Sequence, residues 1–79
     1  MTREEVVAEF ELIRDTWRYS NEYYKLKHAE QLADLAGCAH VLGDDELEAV
    51  ITKLKEQIRH NVALINAAVR GRGVGWWTK

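Results

Sequence analysis

The sequence predicts an all-α protein: an antiparallel helical hairpin with an additional N-terminal helix, packed into a helical oligomer. The chain has no proline and its first glycine is Gly37, so residues 3–36 contain no strong helix breaker. Apolar residues recur at steps of three and four, which is the spacing of one helix face. Gly43 followed by Asp44 and Asp45 is a helix stop joined to a helix start, and so short a link makes the two helices antiparallel.

The N-terminal half is predicted to form two helices, at about 3–19 and 22–42. Ser20 or Asn21 can cap the second helix at its N-terminus. One long helix that changes its buried face is the alternative. The two apolar stripes comprise Val6, Phe10, Ile13 and Trp17, then Leu32, Leu35, Ala36, Ala39 and Leu42.

The third helix, at about 45–70, has the clearest pattern in the chain. Its positions follow a 4-3 spacing over three heptads, which is typical of a helix that packs along another helix. Asp44 or Asp45 can cap this helix, and Asp45 and Glu48 have the spacing of a capping box. Glycines at 71, 73 and 75 predict a flexible tail over 71–79. The positions with 4-3 spacing are Leu47, Ile51, Leu54, Ile58, Asn61, Ile65 and Ala68.

The length of the chain predicts assembly. Seventy-nine residues make a single domain, and a chain this short buries only about 60% of its unfolded surface. Cys38 is the single cysteine, so no internal disulfide can form, and we expect homo-oligomerisation to supply stability. Asn61 is interpreted as a residue that sets register in such an assembly, or as a hydrogen-bond partner for a ligand lodged between helices. The predicted interface comprises Ile58, Asn61, Ile65, Trp76 and Trp77.

Residues that carry chemistry in enzymes lack the spacing that catalysis or metal binding needs. His28, His40 and His60 are never three or four residues apart, so no two share a helix face. Cys38 lies on the apolar stripe of the second helix, where a buried, unreactive thiol is usual. No glycine-rich phosphate loop of a known kind occurs. We therefore predict a protein that is not an enzyme and has no metal site and no cofactor.

The sequence predicts a cytoplasmic protein with no membrane partner. No stretch approaches the roughly 18 apolar residues of a membrane span. The N-terminus has no apolar segment of the length that a signal peptide needs. A free thiol without an export signal is typical of the cytoplasm.

Aromatic and cationic side chains alternate where the first two predicted helices meet. Aromatic rings stack on bases and cations bind phosphates, so this segment is a candidate nucleotide site. The alternative is that Trp17 and one tyrosine are core and the others lie at an oligomer interface. The segment contains Trp17, Arg18, Tyr19, Tyr23, Tyr24, Lys25 and Lys27.

The last third of the chain is locally basic. After Glu56 there are no acids, while Arg59, Arg70, Arg72 and Lys79 remain, which favours an anionic partner. The alternative is that these cations lie late in a helix because they complement its dipole, without any anionic partner. Two Arg-Gly repeats at 70–73 are too few to predict a nucleic-acid partner.

Two segments share a pattern of basic, aromatic and small residues with a known family. The first is Tyr24-Lys25-Leu26-Lys27-His28-Ala29-Glu30-Gln31-Leu32-Ala33; the second runs from Thr52-Lys53-Leu54-Lys55-Glu56 to Asn66-Ala67-Ala68-Val69-Arg70. Over residues 23–70 they resemble the helical-hairpin domain of phage cyclic-nucleotide sponges, small proteins that counter CBASS and Thoeris defence. The family's His-Pro-Pro stretch is missing here, and the last helix is longer by about a turn.

The resemblance implies a non-enzymatic phage anti-defence protein that sequesters cyclic nucleotides in pockets between subunits. It implies that Lys27 and Arg70 contact the phosphates. One of Tyr19, Tyr23 and Trp17 would then stack on the base.

A different function follows from the residues without any family. A helical protein-interaction module, such as a phage or bacterial accessory protein, inhibitor or assembly factor, would use the 4-3 pattern of the third helix. Trp76 and Trp77 would belong to the same interface.

Overall fold

The computed structural model describes the backbone of residues 2–77 and the side chains of residues 2–67. Helix α1 spans Arg3–Thr16 and is capped by Thr2, whose hydroxyl accepts a hydrogen bond from the Glu5 amide at 3.2 Å. The cap satisfies one of the N–H groups that a helix start leaves free. A 3₁₀ turn, Trp17–Tyr19, continues α1, and the extended backbone of Ser20 then ends it.

Helix α2 spans Glu22–Leu42, as predicted. Asn21 caps it, because its side-chain oxygen accepts a hydrogen bond from the Tyr24 amide at 3.0 Å. Gly43 ends it with φ of 76°, a left-handed conformation that glycine adopts without a Cβ clash. The interpretation of the N-terminal half as two helices is therefore confirmed, and the alternative of one long helix is wrong.

Helix α3 spans Asp45–Trp77; it begins at the predicted residue and ends beyond the predicted one. Asp44 is its cap, since Oδ1 accepts a hydrogen bond from the Leu47 amide at 3.1 Å. Asp45 lies inside the helix, so its predicted capping box with Glu48 does not form. The helix also continues seven residues beyond the predicted end at 70, so residues 71–77 are helical backbone rather than a flexible tail. Glycine lowers helix propensity but keeps its N–H donor, so three glycines weaken a helix without preventing it. Residues 78–79 of the predicted tail lie outside the described residues.

The three helices alternate in direction around one core. At the turn end, Nε of Arg3 lies 2.6 Å from Oδ2 of Asp44, which joins the start of α1 to the start of α3. At the opposite, open end, Lys25 of α2 meets Asn61 of α3. Within residues 2–77 every regular element is a helix, which confirms the all-α hairpin with an N-terminal helix. The core consists of Val6, Phe10, Ile13, Trp17, Ala29, Leu32, Leu35, Ala39, Leu47, Ile51, Leu54, Ile58 and Val62.

The predicted stripes describe this core except near their ends. Leu42 is exposed beside the turn. On α3 the buried row passes from Ile58 to Val62 rather than through Asn61 to Ile65. A straight helix has 3.6 residues per turn, so a strict 4-3 pattern drifts by about 20° per heptad away from a fixed partner. The packing therefore follows the period of a straight helix at this end of α3.

Helix α3 is much longer than the helix it packs on. Its 33 residues span about 50 Å, against about 31 Å for the 21 residues of α2. The long dimension of the molecule is 56 Å. Because the link is short, the first residue of α2 is level with about residue 65 of α3. Residues 66–77, here called the α3 extension, thus project roughly 18 Å past the start of α2.

None of the helices, within the residues described, combines the length and the apolar content that crossing a membrane requires.

Candidate functional site

An exposed group of aromatic and cationic side chains surrounds the break between α1 and α2. This aromatic–basic surface consists of Arg18, Tyr19, Tyr23, Tyr24 and Lys27. Tyr19 is 91% exposed, and the other two tyrosines are more than half exposed. The rings of Tyr23 and Tyr24 meet edge to face with centroids 5.3 Å apart. The surface offers flat apolar faces to a planar group.

Helical spacing places a cation beside one of these rings. Tyr23 and Lys27 are four residues apart on α2, so their side chains lie one turn from each other. Nζ of Lys27 is 5.5 Å from the centroid of Tyr23, which is within cation–π range. A ring and an ammonium group at this separation can contact the base and the phosphate of one nucleotide. Of the predicted ligand-binding residues, this is the pair that the described side chains bring together.

Trp17 belongs to the core rather than to this surface. Its side chain is buried, with the guanidinium of Arg18 5.6 Å and the ammonium of Lys25 5.7 Å from the ring centroid. Because the ring is buried and these two cations lie over it, it has no free face on which a base can stack. Trp17 is thereby removed from the candidate stacking residues, which leaves Tyr19 and Tyr23.

Asn61 has a hydrogen-bond partner inside its own chain. Nζ of Lys25 donates to Oδ1 of Asn61 at 3.0 Å in a half-buried position. The pair fixes how α2 and α3 align, because a one-turn slip would leave a half-buried amide oxygen without a donor. The register role predicted for Asn61 thus has a partner within the hairpin itself. Sequence reasoning missed this partner because the two residues are 36 positions apart.

The proposed phosphate contacts, Lys27 and Arg70, are not level in the hairpin. Lys27 of α2 lies opposite about residue 60 of α3, and residue 70 is about 15 Å farther along the helix axis. The side chain of Arg70 lies outside the described residues, as do those of Trp76 and Trp77. One ligand would need a second chain to complete such a pair.

Two of the predicted interface residues on α3 have different environments. Ile58 is fully buried inside its own hairpin, so it cannot contact another copy, and this part of the predicted interface is corrected. Ile65 is 37% exposed, although it lies near the same side of α3 as the buried row. The difference arises because α2 begins level with Ile65 and nothing in α2 covers the helix beyond it.

A second exposed row runs along the solvent side of α3. This outer stripe consists of Val50, Gln57 and Leu64, each seven residues from the next. Val50 is 50% exposed and Leu64 is 55% exposed. The seven-residue spacing is visible in the sequence, but the interface was predicted on the more apolar 4-3 pattern beside it, which includes the core residue Ile58.

A groove of about 390 Å³ separates α1 from α2 near their break, lined by residues that include Leu12, Thr16 and His28. The His28 ring lies between the Ser20 hydroxyl, 3.1 Å from Nε2, and the Gln31 side-chain oxygen, 3.2 Å from Nδ1. These contacts hold the break in place. Among the described residues no three metal-ligating side chains come together, and Cys38 is half-buried against the core.

The strongest electrostatic effects lie in exposed ion pairs. The hydrogen bond from Arg3, with a second from the Leu47 amide, lowers the pKa of Asp44 below its ordinary value. The same contact raises the pKa of Arg3, and Asp15 raises that of Arg14. These pairs belong to helix starts and helix surfaces, and they lie apart from the aromatic–basic surface.

Comparison of the chain with protein-family models, curated protein sequences and solved structures found no match. The resemblance over residues 23–70 stays a prediction.

Proposed function

We propose that the protein is a non-catalytic, self-assembling helical module in which copies of the chain contact each other along α3. The length of α3 carries this proposal. The helix extends past the start of α2, and it leaves Leu64 and Ile65 partly in water at the point where the hairpin ends.

A helix that extends past the helix it packs on lowers the stability of the fold unless another surface packs against the extension. Isolated helices shorter than about 12 residues are marginal in water, and the α3 extension contains three glycines, each of which costs up to about 1 kcal/mol relative to alanine. Fully burying a leucine or isoleucine side chain contributes about 1.5–3 kcal/mol. Contact with another helix would offset the cost of the extension, and a second copy supplies one without any further protein.

Hydrogen exchange at increasing protein concentration tests this proposal. We expect the amides of residues 62–77 to become more protected as concentration rises, because assembly covers this part of α3. Leu64→Asp should abolish the dependence. Leu12→Asp is the matched control, since Leu12 is a similarly exposed leucine on α1. Exchange that does not change with concentration in the wild-type protein would contradict self-assembly.

A second candidate function is the binding of a small anionic ligand, such as a cyclic nucleotide, on the aromatic–basic surface. The Tyr23–Lys27 pair and the exposed ring of Tyr19 favour it. One chain would hold such a ligand incompletely, and residue 70 of another copy could complete the site only if the end of one α3 lies at the open end of the next chain. The phage anti-defence role is what the resemblance adds to this candidate.

Thermal unfolding with a panel of cyclic di- and trinucleotides tests the second candidate. A ligand at 100 times its Kd stabilises the folded state by about 2.7 kcal/mol, so the melting temperature should rise with concentration. Lys27→Ala and Arg70→Ala should each remove the rise, whereas Lys53→Ala, at an exposed position on the outer side of α3, should retain it. If no nucleotide raises the melting temperature at saturation, this candidate is wrong.

A further inference from the structure

We propose that the second copy packs antiparallel along α3, with a two-fold axis beside Gln57, so that Val50 of each chain lies against Leu64 of the other. The inference rests on the proposed self-assembly and specifies its geometry. The contact surface is the outer stripe, which the chain's own α1 and α2 leave in solvent.

The spacing of the outer stripe suits a two-fold axis at its centre. Residues seven apart remain within about 20° of each other around a helix, so Val50, Gln57 and Leu64 form one line. In an antiparallel pair centred on residue 57, residue 50 is opposite residue 64 of the other chain, and this contact occurs twice. An interface around a two-fold axis is self-complementary in this way.

Charge along α3 favours antiparallel over parallel pairing. The helix begins in an acidic segment, Asp44-Asp45-Glu46, and after Glu56 its charged residues are all cations. Centring on residue 57 makes residue 70 level with residue 44 of the other chain, and residue 72 lies about 3 Å farther along the helix axis. Arg70 and Arg72 are thereby brought to the acidic turn of the other copy. A parallel pair would instead set acids against acids and cations against cations, which disfavours association.

The same arrangement covers the beginning of the α3 extension. Residues 66–69 of one chain become level with residues 45–48 of the other, the start of its α3, and residues 70–77 continue past the turn of that chain. The first turn of the extension then lies beside another helix. Each chain covers the beginning of the other's extension by one symmetric contact.

A charge exchange within the outer stripe tests the pairing by sedimentation equilibrium. Val50→Glu and Leu64→Lys should each weaken self-association by at least about tenfold, because each leaves a charge against an apolar side chain. The double variant V50E/L64K should recover most of that loss, since an antiparallel pair sets the new carboxylate against the new ammonium group of the other chain. A parallel pair would set like charges together and make the double variant the weakest of all.

Controls separate the pairing from self-assembly itself. All three positions in the stripe are exposed, so each variant should keep the helix content of the wild type by circular dichroism. Leu12→Lys should leave association unchanged. A wild-type protein that stays monomeric at the highest concentration would overturn the proposed self-assembly and the pairing with it. If the wild type associates but the double variant self-associates no more tightly than the weaker single variant, the antiparallel pairing alone is wrong.

Discussion

The carboxylate of Asp44 takes part in two interactions at the turn end of the bundle. One oxygen caps α3 through the Leu47 amide, and the other binds the guanidinium of Arg3. The helix start and the docking of α1 therefore depend on the same charge. An aspartate that served only as a cap could be replaced by asparagine with little loss, but here the replacement would also remove the ion pair.

Asp44→Asn should lower stability in a pH-dependent way. The folded-state pKa of Asp44 is lowered, so the unfolded chain takes up its proton first as pH falls. The stabilisation is present above the ordinary aspartate pKa and is lost as pH falls through the lower, folded value. Thermal unfolding at neutral pH should therefore show a small difference in stability between wild type and D44N, and this difference should disappear as pH falls through the lowered folded-state pKa of Asp44. Equal differences at neutral pH and below that pKa would contradict the ion-pair role, and Asp34→Asn, at an exposed carboxylate on α2, is the control.

Two glycines of the hairpin should respond to alanine in opposite directions. Gly37 lies within α2, where an added methyl group would meet open space, whereas Gly43 has φ of 76°. Gly37→Ala should stabilise the fold by about 0.4–1 kcal/mol, because it restricts the unfolded chain without a clash. Gly43→Ala should destabilise it by about 1 kcal/mol or more, because alanine disfavours the left-handed conformation. Urea denaturation measures both effects. If Gly37→Ala destabilises the protein instead, position 37 requires a residue without a side chain.

At the scale of elements, α3 changes from a core helix to an exposed one within two turns. Ile58 is fully buried and Ile65 is 37% exposed, although the 4-3 spacing predicts them to be equivalent members of one pattern. The length of α2 decides the difference, since no α2 residue precedes the capped start at Glu22 to cover Ile65.

Alanine substitutions at these two isoleucines should therefore have unequal costs. Ile58→Ala should lower the free energy of unfolding by roughly 2–5 kcal/mol, because it leaves a cavity in the core. Ile65→Ala should cost a fraction of that in the monomer, since less of its surface is buried. Urea denaturation at dilute, monomeric concentration provides the comparison. Equal losses would mean that the start of α2 covers Ile65 as fully as it covers Ile58.

The sequence specified the helices better than it specified their partners. The bounds of α2 were predictable because Asn21 and Gly43 act locally, through a cap and a left-handed turn. The core followed from helical spacing. The far end of α3 did not, because three glycines reduce helix propensity without preventing a helix.

The candidate site was predictable only in its local part. Tyr23 and Lys27 lie one turn apart on the same helix, so their proximity follows from helix geometry. The burial of Trp17 and the contact between Lys25 and Asn61 depend on how helices meet, which no spacing within one helix encodes. The axial offset between Lys27 and residue 70 likewise emerges only when the lengths of α2 and α3 are compared.

At the scale of the whole molecule, charge is separated along the bundle. Residues 2–9 and 34–53, which surround the turn end, contain eight acids and two cations among Asp, Glu, Lys and Arg. Residues 10–33 and 54–77, toward the open end and the α3 extension, contain five acids and eight cations. The two ends thus carry net charges of −6 and +3 within the described residues. An antiparallel neighbour places each end beside its electrostatic complement.

Self-association should therefore weaken as salt is added. The Debye length falls from about 10 Å at 0.1 M salt to about 3 Å at 1 M, so attraction between opposite ends is screened while apolar contacts such as Val50 with Leu64 are not. We expect the dissociation constant from sedimentation equilibrium to rise several-fold between these salt concentrations, with helix content unchanged. Exchanging Arg70 and Arg72 for glutamine should flatten this dependence, because it removes the cations that antiparallel pairing brings to the acidic turn. Tighter association at high salt would mean that like charges meet in the assembly, and that result would favour parallel pairing of α3.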